Sequence, residues 1–181
     1  MFAITPRLAL RPGWPEDAPA LARAIGHEDV VKKLSRVPWP YTEADADWFL
    51  GTAWQDGGPR FVITERAKQD QPIGVIGIHH DGEVPELGYW LTPAAWGRGY
   101  ATEAGHAVVS LAQHGLKLPR LKSGWLVGNA ASGRVLSKLG FVATGRIVRQ
   151  HSLAFGREVE VVEMTLSFDA DEPAAPMPLA A

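Results

Sequence analysis

The sequence predicts an α/β fold in which one mixed sheet carries helices on both faces. Two observations lead to this prediction. Some predicted strands follow one another directly, as in antiparallel meanders. Two other pairs of strands are separated by a single helix, which is typical of crossover connections in a sheet with parallel pairing.

In the N-terminal half, residues 5–11 alternate between apolar and charged side chains and are predicted as the first strand. A helix over residues 15–26 has prolines and acids in its first turn. Residues 28–41 end in an irregular loop because that segment contains two prolines. A second helix over residues 42–54 begins with a capping-box pattern and carries one apolar stripe.

Three strands are predicted next, at residues 61–64, 73–78 and 86–91, with a polar turn at 68–71 and a hairpin turn at Asp81-Gly82. Residues 101–117 then form the clearest amphipathic helix of the chain. The remaining elements are a strand, a helix and two final strands, predicted at residues 121–127, 131–139, 141–148 and 158–168.

The length of 181 residues suits one domain, which we expect to occupy residues 1–168. Residues 169–181 are mostly Asp, Glu, Pro and Ala and are expected to be disordered. Cysteine is absent, which excludes a disulfide scaffold, a thiolate metal site and a cysteine nucleophile. His79 and His80 have no companion ligands, so no metal site is expected.

The formal net charge of −2 gives no reason to expect a nucleic-acid partner. No segment approaches the ~20 apolar residues of a membrane span, so no membrane partner is expected. The first residues lack the apolar stretch of a signal peptide, and the expected location is the cytoplasm.

The segment from Leu91 to Glu103 carries the strongest chemical signal, because a strand ends there and a helix begins after Gly97-Arg98-Gly99. Unpartnered N–H groups and the helix dipole make such a turn an anion site, typically for phosphate. A tight turn without a ligand is the alternative. The segment lacks the Gly-Lys-Ser/Thr of a P-loop, and Thr102 stands where a dinucleotide fingerprint has a third small residue.

A second segment, residues 127–141, passes from a strand into a helix at Asn129. On its own, Asn129 could be a helix N-cap and Ser132 an ordinary residue of the first turn.

Together the two segments resemble the GNAT superfamily of N-acetyltransferases, and most closely its RimJ/RimL-like branch. Residues 93–104 supply a run of the form Pro-x-x-Trp-Gly-x-Gly-Tyr-Ala-Thr-Glu-Ala. The second motif is supplied by Asn129, Ser132, Lys138, Gly140 and Phe141. Residues 5–11 and 38–42 are also similar to this branch, so the resemblance spans about residues 4–168. It implies a mostly antiparallel sheet of six to seven strands with splayed central strands.

The resemblance implies acetyl-CoA as co-substrate, with no metal. The pyrophosphate would bind the backbone amides of Gly97, Arg98, Gly99, Tyr100, Ala101 and Thr102. The pantetheine arm would pair with Leu91 and Thr92 at the end of the preceding strand, and Asn129 would contact it from the other side.

The implied reaction is direct attack of a neutral amine on the thioester, and Glu86 is the candidate general base. A solvated strand-edge glutamate and a histidine base are the alternatives. Many members place a tyrosine seven residues after the asparagine to protonate the thiolate, but this chain has Leu136 there. Ser132 is therefore the candidate acid or sulfur partner, with a packing or capping role as its alternative.

The acceptor side is implied at the loop before residue 42, with Lys33, Trp39 and Tyr41 as candidate substrate contacts. The acceptor is a protein N-terminus or a small-molecule amine. The alternative function is an inactive acyl-CoA-binding sensor or partner protein, which Leu136 would suit. Many relatives form dimers, and the final strands are candidate contact edges for a homodimer.

Overall fold

The computed structural model describes residues 2–52, 57–80 and 82–168. The end of the predicted apolar stripe at residues 53 and 54, Asp81 of the predicted hairpin turn, and the expected disordered segment 169–181 lie outside the described residues.

The described residues form eight strands and five α-helices. The strands are β1 (Ala3–Ile4), β2 (Leu8–Arg11), β3 (Arg60–Glu65), β4 (Lys68–His79), β5 (Glu86–Leu91), β6 (Arg120–Leu126), β7 (Val142–Ser152) and β8 (Arg157–Ser167). The helices are α1 (Ala18–Ile25), α2 (Glu28–Val31), α3 (Glu43–Thr52), α4 (Tyr100–Ser110) and α5 (Ala130–Lys138).

The strands form one sheet in the order β1-β2-β3-β4-β5-β6-β8-β7. Strands β5 and β6 pair in parallel, and the other pairs are antiparallel. The predicted mixed and mostly antiparallel sheet is therefore confirmed. The expected count of six to seven strands was wrong, since the described part of the sheet has eight.

The additional strand is β1, which precedes the segment predicted as the first strand. That segment is shortened to Leu8–Arg11 because Thr5 turns the chain: its N–H bonds the Leu8 carbonyl at 2.9 Å. Pro6 follows within the turn and has no N–H for a sheet ladder. The chain therefore doubles back, and Ala3 pairs with Leu10.

Helices cover both faces of the sheet, as predicted. On one face, α4 and α5 pack on Leu10, Ile63, Ile76 and Leu87, which are almost completely buried. On the other face, α1 and α3 pack around Val75. The two faces follow from alternation along each strand, which sends successive side chains to opposite sides.

Two boundaries differ from their predictions for local reasons. The turn predicted at residues 68–71 lies earlier, at residues 66 and 67, and β4 continues through Pro72 at a register shift opposite Thr64. The long amphipathic helix changes into a π turn over Leu111–Gly115, where the Leu116 N–H bonds the carbonyl of Leu111.

Candidate active site

The centre of the sheet opens between β5 and β6. The two strands are paired at Glu86 and Lys122, where the Lys122 N–H bonds the Pro85 carbonyl at 2.9 Å. Ser123 Oγ donates to the Leu87 carbonyl at 2.8 Å and closes the narrow end. Farther along, β5 remains paired with β4 and β6 with β8, but among the described residues β5 and β6 are no longer paired with each other. The two strands therefore diverge. The predicted splay of the central strands is confirmed.

The glycine turn lies at the end of β5 and leads directly into α4. Gly97 and Gly99 have φ angles of 73° and 76°, a left-handed conformation that favours glycine. Gly99 is the N-cap of α4, and its carbonyl accepts from the Glu103 N–H at 3.0 Å. Within the described part of the chain, the N–H groups of residues 97–102 have no hydrogen-bond acceptor. The turn therefore presents a row of donors at a helix N-terminus.

Side-chain contacts with Glu65 and Arg7 hold this turn in place. Arg98 pairs with Glu65 at 2.7 Å, and the same carboxylate oxygen accepts from the Tyr100 hydroxyl at 2.9 Å. Arg7 lies over the Tyr100 ring and donates to the Arg98 carbonyl at 2.9 Å. The Arg98 guanidinium is thus paired with Glu65, whereas the N–H groups of residues 97–102 have no acceptor among the described residues.

The end of β5 is occupied by Trp96. Its indole N–H donates to the Leu91 carbonyl at 2.7 Å, and the ammonium of Lys33 lies 4.0 Å from its ring centroid. Both backbone groups of Thr92 also have partners, at Ile73 and Ala95. Lys33, expected to contact the substrate, therefore lies against Trp96 at the end of β5.

Asn129 and Ser132 lie at the start of α5, which follows β6. Asn129 is the N-cap by position, but its side chain makes no capping hydrogen bond. Ser132 Oγ lies 2.8 Å from the hydroxyl of Tyr89 on β5. Burial raises the pKa of Tyr89 to about 12, against the opposing effect of the hydrogen bond with Ser132. Leu136 is completely buried in the core.

Glu86 faces a small group of charged side chains at the narrow end of the gap. Its carboxylate lies 3.5 Å from Lys122 Nζ and 3.8 Å from Arg36 Nη2. His79 is its cross-strand neighbour on β4. The imidazole of His79 lies over Gly88, where an added Cβ would be 3.1 Å from Nε2. Glu86 and His79 are thus neighbours, and Ser132 lies on the other face of the sheet.

Aromatic side chains line the face that carries Glu86. Tyr41 and Trp90 pack against the clusters formed by α1, α2 and α3. Burial, assisted by the charge of Asp45, raises the pKa of Tyr41. Trp39 remains 39% exposed. Sequence reasoning missed two neighbouring residues of β5, Tyr89 and Trp90. Alternation along residues 86–91 was the signal that could have found them, since it places them on opposite faces of the strand that leads to the glycine turn.

Among residues 2–52, 57–80 and 82–168, no cluster of three or more His, Cys, Asp or Glu side chains could hold a metal ion. Within the same ranges, no helix is both long enough and apolar enough to span a membrane.

Comparisons with known proteins agree with this geometry. A family profile described as an acetyltransferase (GNAT) domain matches residues 7–142. The uncharacterized N-acetyltransferase YoaA of Bacillus subtilis (strain 168) is 31% identical over 159 residues, which cover 83% of this chain and 89% of YoaA.

Two solved structures illustrate the likeness in fold. The ribosomal-protein-S5-alanine acetyltransferase of Vibrio fischeri has a TM-score of 0.79 at 16% identity, covering 96% of this chain and 100% of that chain. The spermidine N-acetyltransferase of Vibrio cholerae, solved with CoA and spermine, has a TM-score of 0.73 at 18% identity, covering 88% and 95%.

Proposed function

Because the chain belongs to the GNAT acetyltransferase family, we propose that it takes acetyl-CoA as donor and transfers the acetyl group directly to a primary amine. One observation carries the proposal: the gap between β5 and β6 leads to the unpartnered N–H groups of residues 97–102. A pyrophosphate suits those donors, and the pantetheine arm suits an open gap between two strand edges.

The residues present fit this co-substrate. The backbone of Gly97 to Thr102 holds the pyrophosphate, and the uncommitted side chain of Asn129 contacts the pantetheine. The Leu91 carbonyl is the acceptor for a pantetheine amide, which would replace the indole of Trp96. Thr92 contributes its side chain, because its backbone groups are engaged. When bound, acetyl-CoA supplies an activated acetyl thioester.

Glu86 is the proposed general base. A primary amine of pKa ~10 is mostly protonated at pH 7 and must lose a proton before it attacks. Glu86 begins the strand that leads to the cofactor end of the gap, and its side chain is 28% exposed. His79 is the alternative base, since it pairs with Glu86 across the strands. Water can relay the proton to either group.

The charges around Glu86 favour a peptide N-terminus as the acceptor. Arg36 and Lys122 both lie within 4 Å of the Glu86 carboxylate. A polyamine would bring two or more positive charges next to these cations, whereas a peptide N-terminus brings one. Tyr41 and Trp90 provide aromatic surface for the first side chain of a peptide. We therefore place the chain in the RimJ/RimL-like branch as a protein N-terminal acetyltransferase.

Calorimetry with acetyl-CoA, followed by measurement of released CoA, tests this proposal. We expect saturable binding, and thiol release with peptides that have a free N-terminus but not with acetylated ones. Release with spermidine but with no peptide would move the acceptor to small amines. Absence of acetyl-CoA binding would overturn the proposal. Binding without turnover on any amine would instead support the inactive sensor.

We also propose a homodimer in which the final strands contribute to the contact. Strand β7 is the edge of the sheet, and it exposes Val142, Ile147 and Val148. A second copy of the chain would cover this apolar edge. Light scattering that shows only monomers at micromolar concentration would contradict this proposal.

A further inference from the structure

A hydrogen bond crosses from the central strand β5 to helix α5 at the side of the open gap. The Tyr89 hydroxyl donates to the Ser132 carbonyl oxygen at 3.2 Å and lies 2.8 Å from Ser132 Oγ, in a contact where either hydroxyl can be the donor. Among the described residues, no other side-chain hydrogen bond joins these two elements. Because β5 and β6 diverge at this level, the Tyr89 hydrogen bond links β5 to α5, the helix that follows β6.

The position of Ser132 is well defined. Its N–H bonds the Asn129 carbonyl at 3.0 Å in the first turn of α5. The next residue, Gly133, lies directly on Trp125 of β6, where an added Cβ would be 2.9 Å from the indole nitrogen. The start of α5 is thus packed closely on β6, so Ser132 has little freedom to move relative to the gap.

The direction of the hydrogen bond follows from the chemistry of the two hydroxyls. Tyr89 is largely buried, and its raised pKa, about 12, keeps the phenol protonated at neutral pH. A phenol is a stronger acid than an alcohol and therefore the better donor. When the single Tyr89 hydrogen is shared between the Ser132 carbonyl oxygen and Oγ in a three-centre bond, the hydrogen of the serine hydroxyl is free to donate to a third group.

The natural third group is the sulfur of the co-substrate. The position seven residues after Asn129 is Leu136, whose side chain is fully buried and has no hydrogen to donate. Ser132 lies one helical turn closer to Asn129, which is itself a proposed pantetheine contact. The pair of Tyr89 and Ser132 therefore provides a hydroxyl at a site that Leu136 leaves without one.

We propose that Tyr89 is a positioning residue, which donates to Ser132 Oγ and so directs the Ser132 hydrogen at the thioester sulfur. This inference rests on the proposed function. As the amine forms its bond to the carbonyl carbon and the carbon–sulfur bond breaks, the electron pair of that bond moves to sulfur. Ser132 stabilises the departing thiolate by a hydrogen bond, the amine proton passes to the general base, and solvent later protonates the thiolate.

The test measures the thiol pKa of CoA bound to the protein, using the ultraviolet absorbance of the thiolate. A hydrogen bond to the thiolate favours the charged form, so we expect the bound thiol to have a lower pKa than free CoA, which is ~8.5. Tyr89→Phe and Ser132→Ala should each return the pKa toward that of free CoA. The double variant should match Ser132→Ala alone, because Tyr89 acts through the serine.

Single-turnover rates provide a second readout. We expect Ser132→Ala to slow acetyl transfer about tenfold or more, and Tyr89→Phe somewhat less, with affinity for acetyl-CoA nearly unchanged. Ser132→Thr keeps a hydroxyl and should retain most of the rate. Ser137→Ala is the matched control, since Ser137 lies exposed on the same helix.

The outcomes separate this inference from the proposed function. A protein that binds no CoA contradicts the proposed function. Suppose that both variants bind CoA normally, that Tyr89→Phe leaves the thiol pKa and the rate unchanged, and that Ser132→Ala raises the thiol pKa and slows the reaction. This result assigns Tyr89 to packing alone and overturns the inference. Unchanged values in both variants overturn the role of Ser132 as well. Thermal unfolding of each variant shows whether a loss of rate comes from misfolding. If Ser132→Ala misfolds, the rate of Ser132→Thr, which keeps the hydroxyl, decides the outcome.

Discussion

Glu103 on α4 binds Arg7 across 96 positions of sequence. One carboxylate oxygen accepts from the Arg7 backbone N–H at 2.8 Å and from the Thr5 hydroxyl at 2.6 Å, and the other accepts from Arg7 Nε at 2.6 Å. The turn between β1 and β2 is thereby attached to the first turn of α4. The elements that hold the glycine turn before α4 in place therefore include the N-terminal segment.

We expect Glu103→Gln to loosen this attachment. Three donors lose a charged acceptor, which should lower the free energy of unfolding by about 1–2 kcal/mol and weaken CoA binding. Chemical denaturation and calorimetry measure the two effects. Glu28→Gln is the control, because it removes an exposed pair with Lys32 and should change stability by less than about 0.5 kcal/mol. Equal effects in both variants would contradict the role of Glu103.

Arg11 and Asp17 form a buried, bidentate ion pair, with contacts of 2.6 and 2.7 Å, that joins β2 to the start of α1. Asp17→Asn leaves the guanidinium without its counter-charge and should lower the free energy of unfolding by about 3 kcal/mol. Asp29→Asn is the control, because Asp29 is an exposed residue of α2. A loss in Asp17→Asn no larger than in that control would contradict the expectation.

The same pair predicts a dependence of stability on pH. Burial alone would raise the pKa of Asp17, but hydrogen bonds from Arg11 and Trp14 and the charge of Arg11 bring it below its ordinary value. The stabilisation is therefore fully present above the pKa of an unfolded Asp, ~3.9, and is lost as the pH falls through the lower pKa of the folded protein. Urea denaturation from pH 7 downward should show wild type and Asp17→Asn converging at low pH.

Glu86→Gln should lower kcat/KM by ~10²–10⁴ if Glu86 is the base, because the amide cannot accept the amine proton. Glu83→Gln, three residues earlier and exposed, should behave as wild type. An unchanged rate in Glu86→Gln together with a large loss in His79→Gln would transfer the role to His79.

Gly99→Ala should impair both folding and cofactor binding. The residue has a φ of 76°, a conformation that costs a residue with a Cβ about 1–2 kcal/mol. The new methyl group would also stand beside the amides of the pyrophosphate turn. Gly51→Ala is the matched control, since that glycine lies in α3 with open space around it and should gain about 0.5–1 kcal/mol in stability. A Gly99→Ala variant that binds CoA like wild type would contradict the assigned cradle.

Local patterns were sufficient for most elements of the fold. Alternation and apolar periodicity identified β5 and α4, and Gly-x-Gly marked the junction between them. The patterns failed where the determinant was not local. The strand predicted over residues 5–11 begins only at Leu8, and the turn before it, at Thr5 and Arg7, is bound by Glu103, far away in the sequence. The π turn after α4 carries no sequence periodicity of its own.

The candidate site shows the same division. The anion-binding turn is predictable, since unpartnered amides follow from any strand, glycine turn and helix in succession. That Lys33 lies on Trp96, and that Arg98 is paired with Glu65, are consequences of packing between distant segments. No spacing in the sequence encodes those contacts, so the side chains expected to meet a ligand were partly committed elsewhere.

The sequence by itself determined the family, the order of elements and the glycine turn with its proposed backbone donors, because each depends on short runs such as residues 93–104. Only the tertiary structure decided which side chains meet. Tyr89 and Ser132 are 43 positions apart, and their hydroxyls come within 2.8 Å because β5 and β6 diverge while α5 packs back across the gap. Such a contact depends on the shape of the whole sheet, which no local pattern records.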